Sequence, residues 1–159
     1  MGFQKTVNIN PAQGVAGDFA SNNPIFSLVA GEGQLKAGED GVKVGVFAFA
    51  DLATGLVSNK HTEGARCGFV PRAQNLAIIG YSAEASLVIP KGREITLIAS
   101  GDFFAEVEGG NVGDAIVASK ADGTLKAVAD ASAEADGVDT GFTLASVPVG
   151  GLAKITKLG

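Results

Sequence analysis

The chain has 159 residues, 46% of them hydrophobic, and a formal net charge of −5 at pH 7. This length allows one domain with a sizeable hydrophobic core. No run of more than two basic residues occurs, so the chain lacks the basic face with which proteins displace counterions from nucleic acid. The composition therefore argues against nucleic acid as a partner.

The cysteine count and the hydropathy of the chain argue against two further classes of protein, those held by disulfides or cysteine-rich metal sites and those that are secreted or cross a membrane. Cys67 is the single cysteine, so neither an internal disulfide nor a cysteine-rich metal site can form. The N-terminal residues 1–5, MGFQK, lack the apolar region of a signal peptide. No apolar run approaches the roughly 18 residues of a membrane span. We expect a soluble protein without a membrane partner.

Residues 1–24 predict an extended N-terminal arm. They contain one possible short strand at residues 7–10, together with Pro11, Pro24 and several glycines. Fully extended, such a segment reaches about 80 Å, so it can contact a distant neighbour, against which we expect it to become ordered. The alternative that composition leaves open is a mobile terminus.

Residues 25–159 predict a single β-domain, because short apolar runs alternate with turn residues throughout. The chain contains 23 glycines, which fits many tight turns. Residues 25–29 form a short predicted strand. Residues 42–49, VKVGVFAF, alternate with a period of two, but both sets are partly apolar. This pattern indicates a strand covered on both faces.

Residues 68–107 predict four or five short strands and organise the domain. The run at 87–89 precedes Pro-Lys-Gly at 90–92, a reversal that leads into a strand at 94–99. A second reversal, at 100–102, is expected before a strand at 103–107. Connections this short allow only antiparallel pairing.

The remaining segments complete the predicted all-β fold, an antiparallel β-barrel. An Asp-Gly turn at 121–123 joins two strands into a hairpin. An exposed acidic loop is expected at 129–140, with a short helical turn as the alternative. The predicted strands of this part are residues 112–119, 125–128, 141–145 and 152–157.

Few side chains suggest chemistry. His61 is the only histidine, in a loop that favours a solvated side chain over a catalytic one. Cys67 begins a strand, where a thiol usually behaves as a small buried hydrophobe, although a nucleophile paired with His61 is conceivable. Glu106 and Glu108 share one face of a strand, as glycosidase carboxylates can, but a solvated face is the simpler interpretation.

Metal and cofactor motifs are incomplete. Residues 109–114, GGNVGD, miss the calcium-binding repeat GGxGxD by one position. The acidic residues between 130 and 139 lack EF-hand spacing, and Gly31 and Gly33 lack the third glycine of a dinucleotide loop. We expect no cofactor, no metal and no enzymatic activity.

Residues 3–24, FQKTVNINPAQGVAGDFASNNP, resemble the opening of the structural cement, or head decoration, proteins of tailed bacteriophages. Three later phrases also resemble that family, in the same order: GFV at 68–70, AEASLVIP at 83–90 and GDFF at 101–104. The resemblance covers residues 1 to about 120. Phe104 stands where the family often has Trp, and the acidic passage at 130–139 has no counterpart.

The resemblance implies a jelly-roll type of β-barrel that binds the outside of an assembled head. It further implies a homo-oligomer, dimer or trimer, that staples neighbouring subunits of the major capsid protein in the virion. The residues expected to contact the capsid all lie in the arm; they are Phe3, Val7, Asn8, Ile9, Asn10, Phe19 and Asn23.

Two other functions remain open at this point. Within the structural class, the alternative is a tail or fibre adaptor. Outside it, a small carbohydrate-binding β-sandwich is possible. The absence of Trp and of calcium motifs disfavours the sugar binder, because sugar sites commonly stack on aromatic rings.

Overall fold

The computed structural model describes residues 14–72 and 87–158, and within these ranges the protein is all-β. This confirms the predicted fold class. The one helical element described is a single 3-10 turn at Ala131–Ala133, and no helix of the described residues is long and apolar enough to cross a membrane. The strands are β1 Phe26–Ser27, β2 Lys36–Ala37, β3 Val42–Lys43, β4 Phe47–Asp51, β5 Leu56–Ser58, β6 Arg66–Phe69, β7 Val88–Ile89, β8 Ile98–Glu108, β9 Ala115–Ser119, β10 Leu125–Val128, β11 Gly137–Leu144 and β12 Leu152–Lys157.

Five strands close into a barrel in the order β8, β12, β11, β9, β10 and back to β8. Four of the five pairings are antiparallel, but β10 pairs with β8 in parallel, with Leu125 opposite Val107. An odd number of strands cannot alternate in direction all the way around a closed ring, so one pair must be parallel. The prediction of a barrel is confirmed, and the expectation of uniformly antiparallel pairing is wrong. The jelly-roll type of the barrel stays a prediction.

Strand β8 runs straight through the reversal predicted at residues 100–102. Ser100 pairs with Phe26 of β1, and Gly101 and the residues after it pair with β12. Gly101 has φ +147°, and a Cβ there would lie 3.1 Å from the ring of Phe103. The glycine therefore marks where β8 leaves one sheet and enters the barrel, and Ser-Gly-Asp does not form a turn.

Outside the barrel the sheet continues from β8 through β6, β4 and β5 to β2. Phe47 and Phe49 of β4 pack into the barrel core, whereas Ala48 and Ala50 face a second apolar cluster that contains Leu97. These four side chains are all buried. The prediction of a strand covered on both faces is confirmed, although the segment 42–49 is divided into β3 and β4 around Gly45, whose φ is +78°.

The turn at residues 90–92 is present, but the hairpin predicted around it is not. Strand β7 pairs with β3, and the returning chain pairs with residues 35–37 instead, through Ile95 N–H to the Leu35 oxygen at 2.9 Å and Ala37 N–H to the Arg93 oxygen at 2.9 Å. Burial decides this arrangement. Leu35, Ile95 and Leu97 belong to one buried cluster, which the predicted hairpin would have divided.

The C-terminal predictions agree closely with the structure. Strands β9 and β10 form the hairpin around Asp-Gly, and β12 has the predicted bounds. Within the acidic passage the alternative of a helical turn is confirmed by the 3-10 turn. Strand β11 begins four residues earlier than predicted, at Gly137, and accommodates the extra residues in a bulge between Asp139 and Phe142.

Candidate interaction surface

The structure describes two of the seven residues predicted to bind a partner, Phe19 and Asn23. The other five, which are Phe3, Val7, Asn8, Ile9 and Asn10, lie outside the described residues. Phe19 and Asn23 are both placed beside β8, and they approach it from the same segment of chain, residues 14–28. We call residues 14–28 the N-terminal segment.

The N-terminal segment runs antiparallel to β8 along the edge that β12 leaves free. Gly17 N–H donates to the Phe104 oxygen at 2.8 Å, and Phe104 N–H donates to the Asp18 oxygen at 2.9 Å. Phe19 lies opposite Phe103, and further along, Phe26 lies opposite Ser100. The register shifts by four residues between these two pairs, so four residues on the N-terminal side leave the ladder. The segment is an interrupted edge strand, and interruptions of this kind discourage uncontrolled edge-to-edge pairing.

This placement differs from the expectation that the whole arm becomes ordered only against a neighbour. Residues 14–24 contact the domain of their own chain, because β8 has an open edge there and Phe103 offers an apolar surface. The boundary of the arm at residue 24 and the single-domain assignment of residues 25–159 stay predictions.

Apolar side chains of the N-terminal segment, and Val29 directly after it, are substantially exposed. The Phe19 ring packs on Phe103 at a centroid distance of 5.4 Å, yet 50% of Phe19 is exposed. Ile25 is 42% exposed, and its Cγ1 lies 3.6 Å from the position that a Cβ at Gly101 would occupy. Phe26 is 57% exposed. We define Phe19, Ile25, Phe26 and the more exposed Val29 as the N-terminal apolar surface.

Asn23 is hydrogen-bonded to the Asp102 carboxylate of β8. Its Nδ2 donates to Asp102 Oδ2 at 2.6 Å, as does the Ser21 hydroxyl at 2.5 Å, and the Thr156 hydroxyl of β12 donates to Oδ1 at 2.5 Å. Because these donors favour the ionised form, the hydrogen bonds from Ser21, Thr156 and Asn23 together hold the pKa of Asp102 below its ordinary value. One carboxylate thus fastens the interrupted part of the N-terminal segment to the barrel.

The thiol and the imidazole do not form a catalytic pair. Cys67 is half-buried, and burial raises the pKa of its thiol to about 12, so it is not a thiolate at neutral pH. His61 packs edge-on against Phe49, with ring centroids 5.0 Å apart. The hypothesis of a Cys67–His61 nucleophile therefore has no support in the geometry.

The two β8 glutamates are exposed, as predicted for a solvated face. Glu106 and Glu108 border an open cleft of about 480 Å³ that also contacts Lys43. Among the residues that the structure describes, no group of three or more His, Cys, Asp or Glu side chains is arranged to hold a metal ion. Glu106, Glu108 and Lys43 are thus exposed charged side chains of the surface.

Sequence reasoning missed the exposure of Ile25, Phe26 and Val29. It predicted their strand, but an apolar strand next to a domain normally suggests burial. The available signal was Ser-Asn-Asn-Pro at 21–24, because such turn residues predict that the strand is offset from the segment before it.

Comparison with known proteins identifies the family. The model of the XM1 gp53 minor capsid protein family matches residues 3–157. Among solved structures, a chain of the capsid of Myoviridae phage XM1 is similar, with a TM-score of 0.61 and 15% identity over 98% of this chain and 97% of that chain. No curated protein matches. The structural likeness concerns the fold, and the family match extends over nearly the whole sequence. The chain therefore belongs to the XM1 gp53 minor capsid protein family, a family of tailed-phage capsid proteins.

Proposed function

We propose that this protein is a non-enzymatic cement protein that binds the outer surface of the assembled phage head. Its partner is the major capsid protein, and one molecule contacts neighbouring capsid subunits. The observation that carries the proposal is the match of a minor capsid protein family to residues 3–157. The exposed aromatic and aliphatic side chains of the N-terminal segment supply the kind of anchor that protein interfaces use.

The arm extends this contact. Phe3, Val7 and Ile9, with Asn8 and Asn10 between and beside them, supply further apolar and amide groups ahead of the N-terminal segment. Together with Phe19 and Asn23 they reach across to a neighbouring subunit. On the head the protein forms a dimer or trimer around a jelly-roll type of barrel, as the resemblance to cement proteins implies.

Stabilisation follows from mass action. A protein that binds the intact lattice but not separated subunits stabilises the lattice at every occupied site. A contact of standard size buries about 1,600 Å², and its affinity can be modest. Many occupied sites together oppose the separation of subunits.

Counting copies per virion tests the proposal against a tail or fibre adaptor. Quantitative mass spectrometry of purified virions, with the major capsid protein as internal standard, should find hundreds of copies. Antibodies against the acidic passage at 129–140 should also bind intact, DNA-filled heads. A copy number in the tens, with antibody on tails only, would assign the chain to the adaptor class.

A further inference from the structure

The net charge of the molecule is confined to one part of it. Residues 98–158, which form the barrel, contain nine carboxylates and four lysines, a net charge of −5. The remaining described residues, 14–72 and 87–97, contain seven acidic and seven basic residues. By sequence the molecule therefore has an acidic barrel and a neutral remainder. The N-terminal apolar surface belongs to the neutral remainder and lies against β8 at the edge of the barrel.

Charged groups beside the N-terminal apolar surface already have partners within the chain. Asp18 lies 3.6 Å from Arg72. Asp102 accepts three side-chain hydrogen bonds, from Ser21, Asn23 and Thr156. Asp18 and Asp102 therefore keep these partners when another protein covers Phe19, Ile25 and Phe26, and an unpaired charge is the main cost of burying ions at an interface.

A second set of exposed apolar residues lies in the acidic barrel and provides a comparison. Val112, Val147 and Val149 are each about 60% exposed, on two loops that meet where Gly113 N–H donates to the Leu144 oxygen at 2.8 Å. Their exposure is close to the 57% of Phe26, but they contain no aromatic ring and they belong to the acidic range of the sequence.

We propose that the N-terminal apolar surface is the face that seats on the capsid shell, with the acidic barrel directed away from it. This inference rests on the proposed function and adds the orientation of the bound molecule. The partner is a capsid subunit whose contact surface is apolar and uncharged, since interface centres are depleted of charge and enriched in aromatic residues. Bound side by side on a lattice, barrels of like charge repel one another, which favours their projection into solvent.

Paired surface variants test which face binds. Phe26→Ser/Val29→Ser changes two exposed residues of the N-terminal apolar surface, and Val147→Ser/Val149→Ser changes two equally exposed residues of the barrel. In sedimentation with undecorated heads of the same phage, the first variant should lose at least about tenfold in affinity. The second should stay within twofold of the unaltered protein, and both should keep the unaltered circular dichroism spectrum.

The outcomes separate this inference from the proposed function. If the unaltered full-length protein does not sediment with heads, the proposed function itself is wrong. If it binds and the barrel variant loses affinity while the Phe26/Val29 variant does not, the function stands and the orientation is reversed. Equal affinity of both variants would also contradict the inference.

Thiol labelling on decorated heads gives an independent readout of orientation. Ser27→Cys is next to Phe26 of the N-terminal apolar surface and Ala133→Cys is in the acidic passage, and both positions are exposed. Maleimide should modify Ala133→Cys equally in free and head-bound protein, whereas binding should protect Ser27→Cys at least fivefold. Cys67 contributes the same slow background to both variants. Protection of Ala133→Cys instead would overturn the proposal.

Discussion

Asp102 is the residue on which the attachment of the N-terminal segment depends most. Its carboxylate receives donors from two sides, Ser21 and Asn23 of the segment and Thr156 of β12. Neutral asparagine in its place would keep one acceptor oxygen but lose the charge, and charge-assisted hydrogen bonds are roughly twice as strong as neutral ones. The Asp102→Asn protein should therefore be less stable at neutral pH.

The pH dependence of this effect has a defined sign. Because the pKa of Asp102 is lowered in the folded protein, its stabilising contribution is complete above the unfolded pKa of about 3.9 and disappears as the pH falls through the folded pKa. Urea unfolding at pH 7 and at pH 2.5 should show a difference between wild type and Asp102→Asn that shrinks in acid. Thr156→Val, which removes one donor, should give a smaller difference of the same sign. A difference that grows in acid would contradict the assignment.

Gly123 is a second residue with a specific structural requirement. Its φ is +72°, its oxygen accepts from Phe47 N–H at 2.9 Å, and a Cβ there would collide with the Phe47 backbone oxygen. Gly109 has a similar φ of +66° with no atom within 4 Å of a built Cβ.

Alanine at these two glycines separates backbone strain from steric contact. Gly109→Ala should cost about 1–2 kcal/mol, the usual price of a left-handed conformation for a non-glycine residue. Gly123→Ala should cost at least about 2 kcal/mol more, because backbone atoms cannot rotate away. Thermal or urea unfolding measures both values, and equal losses would show that the β9–β10 turn moves freely away from β4.

Among the elements, β8 connects all parts of the fold. It pairs with β12, β10, β6, β1 and the N-terminal segment, and its inward residues Phe103, Ala105 and Val107 are fully or almost fully buried. In the N-terminal segment, in contrast, Phe19 is 50% and Phe26 57% exposed. The two should differ in local stability, because opening free energy follows burial.

Amide hydrogen exchange tests this difference. The amides of β8 that pair with β12 should exchange slowest in the molecule, and those of Gly17 and Ala20 at least about tenfold faster. NMR-detected exchange of the full-length protein measures both sets. In Asp102→Asn the Gly17 and Ala20 amides should become faster still while the β8–β12 amides change little. Equal protection of the two sets would mean that the segment opens only with the whole fold.

The β9–β10 hairpin and strand β8 show which structural features a local sequence pattern predicts and which it does not. Local signals were sufficient for the β9–β10 hairpin, since Asp-Gly and its flanking apolar runs act over a few residues. The pattern Ser-Gly-Asp at 100–102 is equally turn-like, yet here glycine allows one strand to serve two sheets. Only the distant partners Phe26 and Lys157 decide between these outcomes, and no local pattern contains them.

The interaction surface, too, depends on distant strand partners that a local sequence pattern does not contain. Phe19 and Asn23 were identified by resemblance, and both lie at the edge of β8, but their direct contacts are with Phe103 and Asp102 of their own chain. Ile25 and Phe26 were expected in a strand without being expected on the surface. Exposure depends on which edge of which sheet is left uncovered, and that follows from the closure of the barrel.

At the scale of the whole molecule, the strands that close the barrel are also the part of the chain that carries the net negative charge. Closure of the barrel pairs β8, β9, β10, β11 and β12 with one another, and the N-terminal segment covers the part of the β8 edge around Phe103 and Phe104 that lies opposite β12. The barrel also carries the entire net charge of −5. A molecule built this way has one neutral, partly apolar part and one strongly acidic part.

The thermal release of DNA from heads with and without this protein tests the central claim most directly. Heads assembled without the protein should be complete but should release DNA, detected by a fluorescent dye, at a lower temperature than decorated heads. Adding the purified protein should raise the release temperature in proportion to occupancy, whereas adding Phe26→Ser/Val29→Ser protein at the same concentration should raise it less. Equal release temperatures for bare and fully decorated heads would contradict the account of this protein as capsid cement.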